Sequence, residues 1–425
     1  MIAPLVKKEI LSNLLSYKFI VVFLMTILLT ALSMGIMYRD FDARYADYML
    51  IRPGAGDLIA LTPPNPFSVL ARGLDESIGR SYEINIHDIV VRSGQKSNNL
   101  IFRFFPTPDL LYTVQVVLSL AALLFGFDQV CREREQGTLK LLLSHSVSRG
   151  ELLLSKWVGN FLTLVLPFLT VFLLALLLLQ LDPRFSLSWE GWLRLGLMLF
   201  LFLLYVALFL SLGILVSTLA KRAATSLVIL LFLWAALVFL LPNLTTLAAR
   251  QMVEVPSVRG LSEKRQQIWT REILLGIREF DPKAGQQGVA SSWRRHFDVV
   301  NHEQDAMEEE YRHRFGRLVS VAKSLNRLSP VASFVYGVNA VAGTGIEEES
   351  RYKEEVLRYK NRVYKGLIDK SMLGKEASFP AFHYRYRSLG ETFREGLWFD
   401  LFWLALFTVL FVVASAVAFL RYDVR

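Results

Sequence analysis

Residues 128–160 read DQVCREREQGTLKLLLSHSVSRGELLLSKWVGN, and they lie between two runs apolar enough to cross a bilayer. Arg132, Glu133, Arg134 and Glu135 end the membrane depth of the first run, because charge in hydrocarbon is costly. A helix drawn across 132–145 gathers Leu139, Leu142 and Leu143 on one side and leaves Glu133, Glu135 and Lys140 elsewhere. A short charged segment held between two spans is poorly suited to catalysis and well suited to being gripped by a soluble partner.

The rest of the chain has the composition of a membrane protein: 53% hydrophobic residues against 20% charged, with a mean hydropathy of +0.38. Its net charge of +9 follows from basic juxtamembrane loops, so no nucleic-acid partner is expected. Cys131 is the single cysteine, so a folded domain outside the cytoplasm has to be held by packing rather than by an internal disulfide.

Hydropathy predicts six spans, at 19–37, 109–127, 157–181, 193–219, 223–241 and 398–420, each near the roughly 20 residues needed to cross the hydrocarbon core. Pro167 predicts a kink in the third. The first run is long for a signal peptide and lacks a small-residue cleavage site, which favours a retained anchor. Ahead of it, Val6, Ile10, Leu14 and Tyr17 recur at helical spacing opposite Lys8, Ser12 and Ser16. Residues 1–18 therefore read as an amphipathic helix in the headgroup plane, the alternative being the first turns of the span itself.

Two polar inserts complete the map, an all-α polytopic architecture with a small mixed insert after the first span. Residues 38–108 carry turn signals at 52–54 and 62–66 and a strand-like alternation over 82–87. Residues 246–396 contain no membrane-length apolar run. They show helical stripes at Tyr311, Phe315, Leu318, Ala322 and Leu325, over 331–341, and at Tyr352, Val356, Tyr359, Val363 and Leu367. Long antiparallel helices standing off the membrane are the simplest arrangement. Lys7, Lys8, Lys18, Arg132, Arg134, Lys140, Arg149, Lys156, Lys221, Arg222, Arg421 and Arg425 all fall near span ends on one side. The positive-inside bias then predicts cytoplasmic termini, a cytoplasmic 128–156 loop, a cytoplasmic 421–425 tail and both long inserts outside.

Catalytic chemistry finds little support. There is no phosphate-binding loop; the fragments at 93–97 and 373–376 lack its spacing. His296, His302 and His313 lie near Glu303, Asp305 and Glu308 to Glu310 without ligand spacing on one helical face, so a solvated charged surface is expected rather than a metal site. No nucleophile motif occurs either. Neither a catalytic residue nor a cofactor bound by this chain is expected.

The 131–156 segment resembles the loop between spans two and three of ABC transporter permeases of the ABC-2 exporter type. The resemblance rests on the acidic-Gly-Thr-Leu core at 135–139, the Val-Ser-Arg of 147–149 and Lys156 just before span three. In that family the loop carries a coupling helix that docks on a separately encoded ATPase, and residues 1–18 resemble its connecting helix. Asn65 to Leu70 with Gly73, and the stretches 328–330 and 342–345, are similar to a subgroup with a long helical insert between spans five and six.

The resemblance implies a permease, not itself an enzyme. ATP and Mg belong to a partner ATPase, and a second copy or a related permease completes the pair in a bacterial inner membrane. It assigns the ATPase interface to Arg132, Glu133, Glu135, Gly137, Thr138, Leu139, Leu142, Ser148 and Arg149, the alternative being glutamates paired with Arg132 and Arg134 on an exposed surface. The substrate is unspecified. A second reading has the outer helices transmit motion to, or dock, an envelope protein partner without moving a substrate; a third is a sensor without an ATPase.

Overall fold

The computed structural model describes residues 2–51, 59–78, 81–84, 89–92, 109–139, 148–185, 187–280, 285–371 and 381–421. After an N-terminal helix α1 (Ile2–Leu14), six helices are long and apolar enough to cross a membrane. They are α2 (Tyr17–Ile51), α3 (Leu110–Glu135), α4 (Arg149–Gln180), α5 (Trp189–Leu219) and α6 (Ala223–Met252), with α11 (Leu389–Leu420) closing the chain. The protein is an all-α polytopic membrane protein.

The residues form two compact units, 1–239 with 329–425, and 240–328. In the first, α5 is the central helix. It is apolar around its whole circumference, the pattern of a helix buried on all sides, and Met198, Leu201, Phe202, Tyr205 and Phe209 are buried. A shorter apolar helix, α9 (Pro330–Ala342), packs between α5 and α11, with Phe334 stacked on Tyr205 at 3.9 Å. Its ends follow local chemistry. The Ser329 hydroxyl accepts from the Val331 N–H, Pro330 occupies the first turn, and Gly343 takes φ +71°, a left-handed conformation that costs glycine little.

α2 is longer than the expected span. Its 35 residues extend about 52 Å, against about 30 Å of hydrocarbon, so the last turns stand clear of it. Those turns stay helical because Phe41 packs on Phe185 at 4.8 Å and Arg184 donates to Asp42 at 2.7 Å. The 182–184 turn is thus a clamp on α2.

The small insert contains an antiparallel sheet of β1 (Ile59–Ala60), β2 (Ser81–Ile84) and β3 (Ile89–Arg92) in that order. Residues 85–87 of the expected strand lie outside the described residues. Against the insert packs α10 (Ile346–Ser371), whose Tyr352, Val356, Tyr359 and Val363 form a core with Ala60, Ile78, Tyr82 and Phe382. The side chain of Leu367 lies outside the description. Asn65 donates to the Ala342 carbonyl at 2.8 Å, and Thr344 donates to the Ala71 carbonyl at 3.0 Å. Gly73, at φ +46°, has no room for a side chain, since a Cβ there would lie 2.4 Å from the Thr344 carbonyl oxygen. The stretches at 65–73 and 342–345, far apart in sequence, therefore form one joint.

Within the stretch read from sequence as one outer domain over 246–396, residues 329–371 and 381–396 cluster with the spans and the small insert, and 246–328 fall in the second unit. The second unit comprises α7 (Val258–Arg278), α8 (Gly285–Asn326) and the last turns of α6. Its aromatic packing includes Trp293 on Phe297 at 6.0 Å, with Gly276 leaving room for the Trp293 ring. His296 bonds Glu272 at 3.0 Å, and Arg271 bonds Glu303 at 2.7 Å, so these charges tie α7 to α8.

Asp109 caps the start of α3, accepting from the N–H groups of Tyr112 at 2.7 Å and Arg72 at 2.9 Å.

Candidate functional site

The 128–156 segment begins where α3 loosens into turns at 127–130 and re-forms a single charged turn of helix, Cys131–Glu135. The helix then stops: Gly137 adopts φ +71°, and its N–H bonds the Arg134 carbonyl at 3.2 Å. A continuous amphipathic helix over 132–145 is therefore interrupted at Gly137. A residue without Cβ takes the left-handed position that ends a helix. Leu142 and the rest of 140–147 lie outside the described residues.

The charged side chains along this stretch run to neighbouring spans. Asp128 pairs with Lys18 at the start of α2 at 2.7 Å. Glu133 accepts from Lys156 of α4 at 2.6 Å, and Lys156 also faces Glu9 of α1 at 3.4 Å. Arg134 donates to the Thr218 and Ala220 carbonyls at the end of α5, at 3.1 and 3.0 Å. Glu135 accepts from the Ala223 N–H, which opens α6, at 3.2 Å. Arg149 donates to the Leu420 carbonyl closing α11 at 2.8 Å. Cations on carbonyl ends and a carboxylate on an amide end match the helix dipoles. The described residues 128–135 thus bond to α2, α4, α5 and α6, and Arg149, the first residue of α4, bonds to α11.

Uncharged contacts finish the joint. The N–H groups of Val130 and Cys131, freed by the loosened turns, both donate to the Ser217 hydroxyl, at 3.0 and 3.2 Å. Asn160 receives bonds from Asn13 of α1 at 2.9 Å and Gln129 at 3.2 Å. Gly159 lets α1 lie close, since a Cβ there would come 2.7 Å from the Glu9 Cβ. Ser148 opens α4 as its cap, its hydroxyl accepting from the Glu151 N–H at 3.2 Å.

Eight of the nine residues assigned by sequence are described, and they divide by exposure. Arg132, Glu135, Gly137 and Ser148 are exposed; Glu133, Thr138 and Arg149 are half-buried; Leu139 is buried. The glutamates do not pair with their neighbouring arginines in the way a solvated surface suggests, because Glu133 reaches Lys156 and Glu135 reaches an amide. Sequence reasoning left Glu9, Arg134 and Lys156 off the site list. The signal for Lys156 was its place at a span boundary; Glu9 had none, since its partner is 147 positions away. Among the described residues no group of three or more His, Cys, Asp and Glu side chains is placed to hold a metal ion.

Six membrane-length helices tied together near a short charged turn make a polytopic membrane protein, and the sequence match gives its class as a transporter subunit. The sequence matches the family described as ABC-2 family transporter protein over residues 3–424, and the chain belongs to that family. Locally it is similar to the probable ABC transporter permease protein NosY of Pseudomonas aeruginosa, 44% identical over 69 residues, which is 16% of this chain and 25% of that one. The NosY of Stutzerimonas stutzeri is 45% identical over 56 residues, 13% of this chain and 20% of the relative. The alignments thus span a quarter or less of these relatives' length.

Proposed function

We propose that this chain is the permease half of an ATP-driven exporter, in which a separate ABC ATPase grips the turn at Arg132, Glu135, Gln136 and Gly137. The observation that carries the reading is the set of bonds from 128–135 to α2, α4, α5 and α6, continued to α11 by Arg149 at the start of α4. A push on a turn anchored in this way reaches α4 and α1 through Glu133 and Lys156, the α5–α6 turn through Arg134 and Glu135, and α11 through Arg149. Buried charge-assisted bonds resist stretching more than solvated ones, so the motion is passed on rather than absorbed. The turn and both termini are cytoplasmic in this reading, and residues 240–328 face the outside of a bacterial inner membrane. Two such subunits, identical or related, pair around the transport path, with ATP and Mg on the ATPases.

The test uses side chains that reach outward. Arg132 and Gln136 are exposed, and Arg132 touches the joint only through a 3.5 Å pair with Asp128, so changing them leaves the Lys156, Thr218, Ala220 and Ala223 bonds in place. Arg132→Glu with Gln136→Glu is expected to reduce copurification of an ABC ATPase from native membranes at least tenfold, with an unchanged gel-filtration profile. Equal recovery of the ATPase with the variant would remove the turn from the interface.

A further inference from the structure

The joint uses up the charges of Glu133, Arg134, Glu135 and Arg149, yet other cations at the same end of the spans carry no such role. Lys221 and Arg421 are exposed and have no acidic partner among the described residues. With Arg134 they rim a groove of about 1060 Å³ between the last turn of α5 and the outer face of α11. Apart from Thr218 its walls are otherwise apolar, formed mainly by Leu215 and Leu219 on one side and by Leu406, Leu410, Val413 and Val417 on the other, and no acidic side chain lines it.

Its dimensions match one membrane leaflet. From Leu406 to Val417 is eleven residues of helix, about 16 Å, against about 15 Å for half the hydrocarbon core. Arg421 follows one turn later, at the level where headgroups begin. Arg134 already serves the α5 carbonyls, so Lys221 and Arg421 hold the charge that faces outward.

We infer that this groove binds a glycerophospholipid with an anionic headgroup, its phosphate on Lys221 and Arg421 and its acyl chains along α11. Charge complementarity selects an anionic lipid over a zwitterionic one, and the apolar depth selects a lipid over a soluble phosphate. The lipid would fill the gap between α5 and α11 beside the α5–α6 turn, where it steadies two of the helix ends that the 128–149 segment holds. The inference does not depend on the ATPase reading.

The full chain in a neutral detergent, given equimolar dioleoyl phosphatidylglycerol and dioleoyl phosphatidylcholine, is expected to retain the first about tenfold over the second in native mass spectrometry, two basic residues being enough for that ratio. Lys221→Gln with Arg421→Gln is expected to bring the ratio near one. Lys7→Gln with Lys8→Gln removes equal charge elsewhere and is expected to keep it, and excess inorganic phosphate is expected to leave the lipid bound. Parity in the parent, preference surviving in the Lys221 and Arg421 variant, or displacement by phosphate alone would each overturn the site. Efficient disulfide crosslinking of Val413→Cys between copies in native membranes would overturn it too, by showing that a second copy covers the groove.

Discussion

Replacing Lys156 by Met is expected to destabilise the protein by about 3 kcal/mol, near the lower end of the cost of removing one partner from a buried ion pair. Its side chain is 4% exposed, with the ammonium between the side chains of Glu133 and Glu9, which are 19% and 15% exposed. Without it the two carboxylates that share this one ammonium, at 2.6 and 3.4 Å, are left poorly hydrated and without their counter-charge. Like charges so placed repel, and neither has another cation within reach in the described structure. The partial exposure of both glutamates is why the lower end applies. The expected readout is a lower thermal midpoint in detergent, together with loss of α1 protection in hydrogen exchange.

A rescue separates charge from packing. Lys156→Met combined with Glu133→Gln and Glu9→Gln removes all three charges, and replacing a buried ionic cluster by neutral groups is often close to neutral. The triple variant is therefore expected to regain most of the midpoint. If the coupling reading is right, it regains stability but not ATP-driven turnover, because the charge-assisted link between the turn and α4 is gone. A triple variant as unstable as Lys156→Met would mean that the lysine acts through its aliphatic packing.

Gly126→Val and Gly213→Val are expected to have the second large effect. The two glycines meet where α3 crosses α5: a Cβ on Gly126 would lie 2.9 Å from the Gly213 Cα, and one on Gly213 would lie 3.1 Å from the Gly126 Cα. Backbone stands on both sides, so no flexible side chain can yield, and the helices must part. Overpacking a tight core costs about 1–3 kcal/mol, and here the separation also draws Val130 and Cys131 away from Ser217, one helical turn beyond Gly213. Gly196→Val on the same helix is the control, since nothing lies within 4 Å of a Cβ there. The crossing variants are expected to lose monodisperse protein at temperatures the Gly196 variant survives, and equal loss in all three would point to helix propensity instead.

Much of this architecture was legible in the residues. Six apolar runs placed six spans, because burying twenty apolar side chains in lipid depends on local composition alone. Ser329, Pro330 and Gly343 marked the ends of α9 through capping chemistry that acts within a few residues. The stripe at Tyr352, Val356, Tyr359 and Val363 announced a buried helical face without naming what it would meet. It met the small insert through Tyr82 and Ala60, because matching two apolar surfaces depends on where the chain brings them. The same limit affected the charged segment: CREREQGTL stood out, but its glutamates looked equivalent.

By itself the sequence determined the number of spans, the ends of α9 and the charged segment between spans two and three, all of which follow from composition and short-range periodicity; the family was legible in the motif of residues 131–156. Only the tertiary structure decided that Glu133 turns inward to Lys156, that Glu135 and Arg134 hold the two sides of the α5–α6 turn, and that Arg132 is left exposed with only a 3.5 Å pair to Asp128. The same holds for residues 329–396, which join the spans. Such assignments depend on partners tens to hundreds of positions away, and a charge is drawn to whichever opposite charge or helix end the fold places beside it at low dielectric.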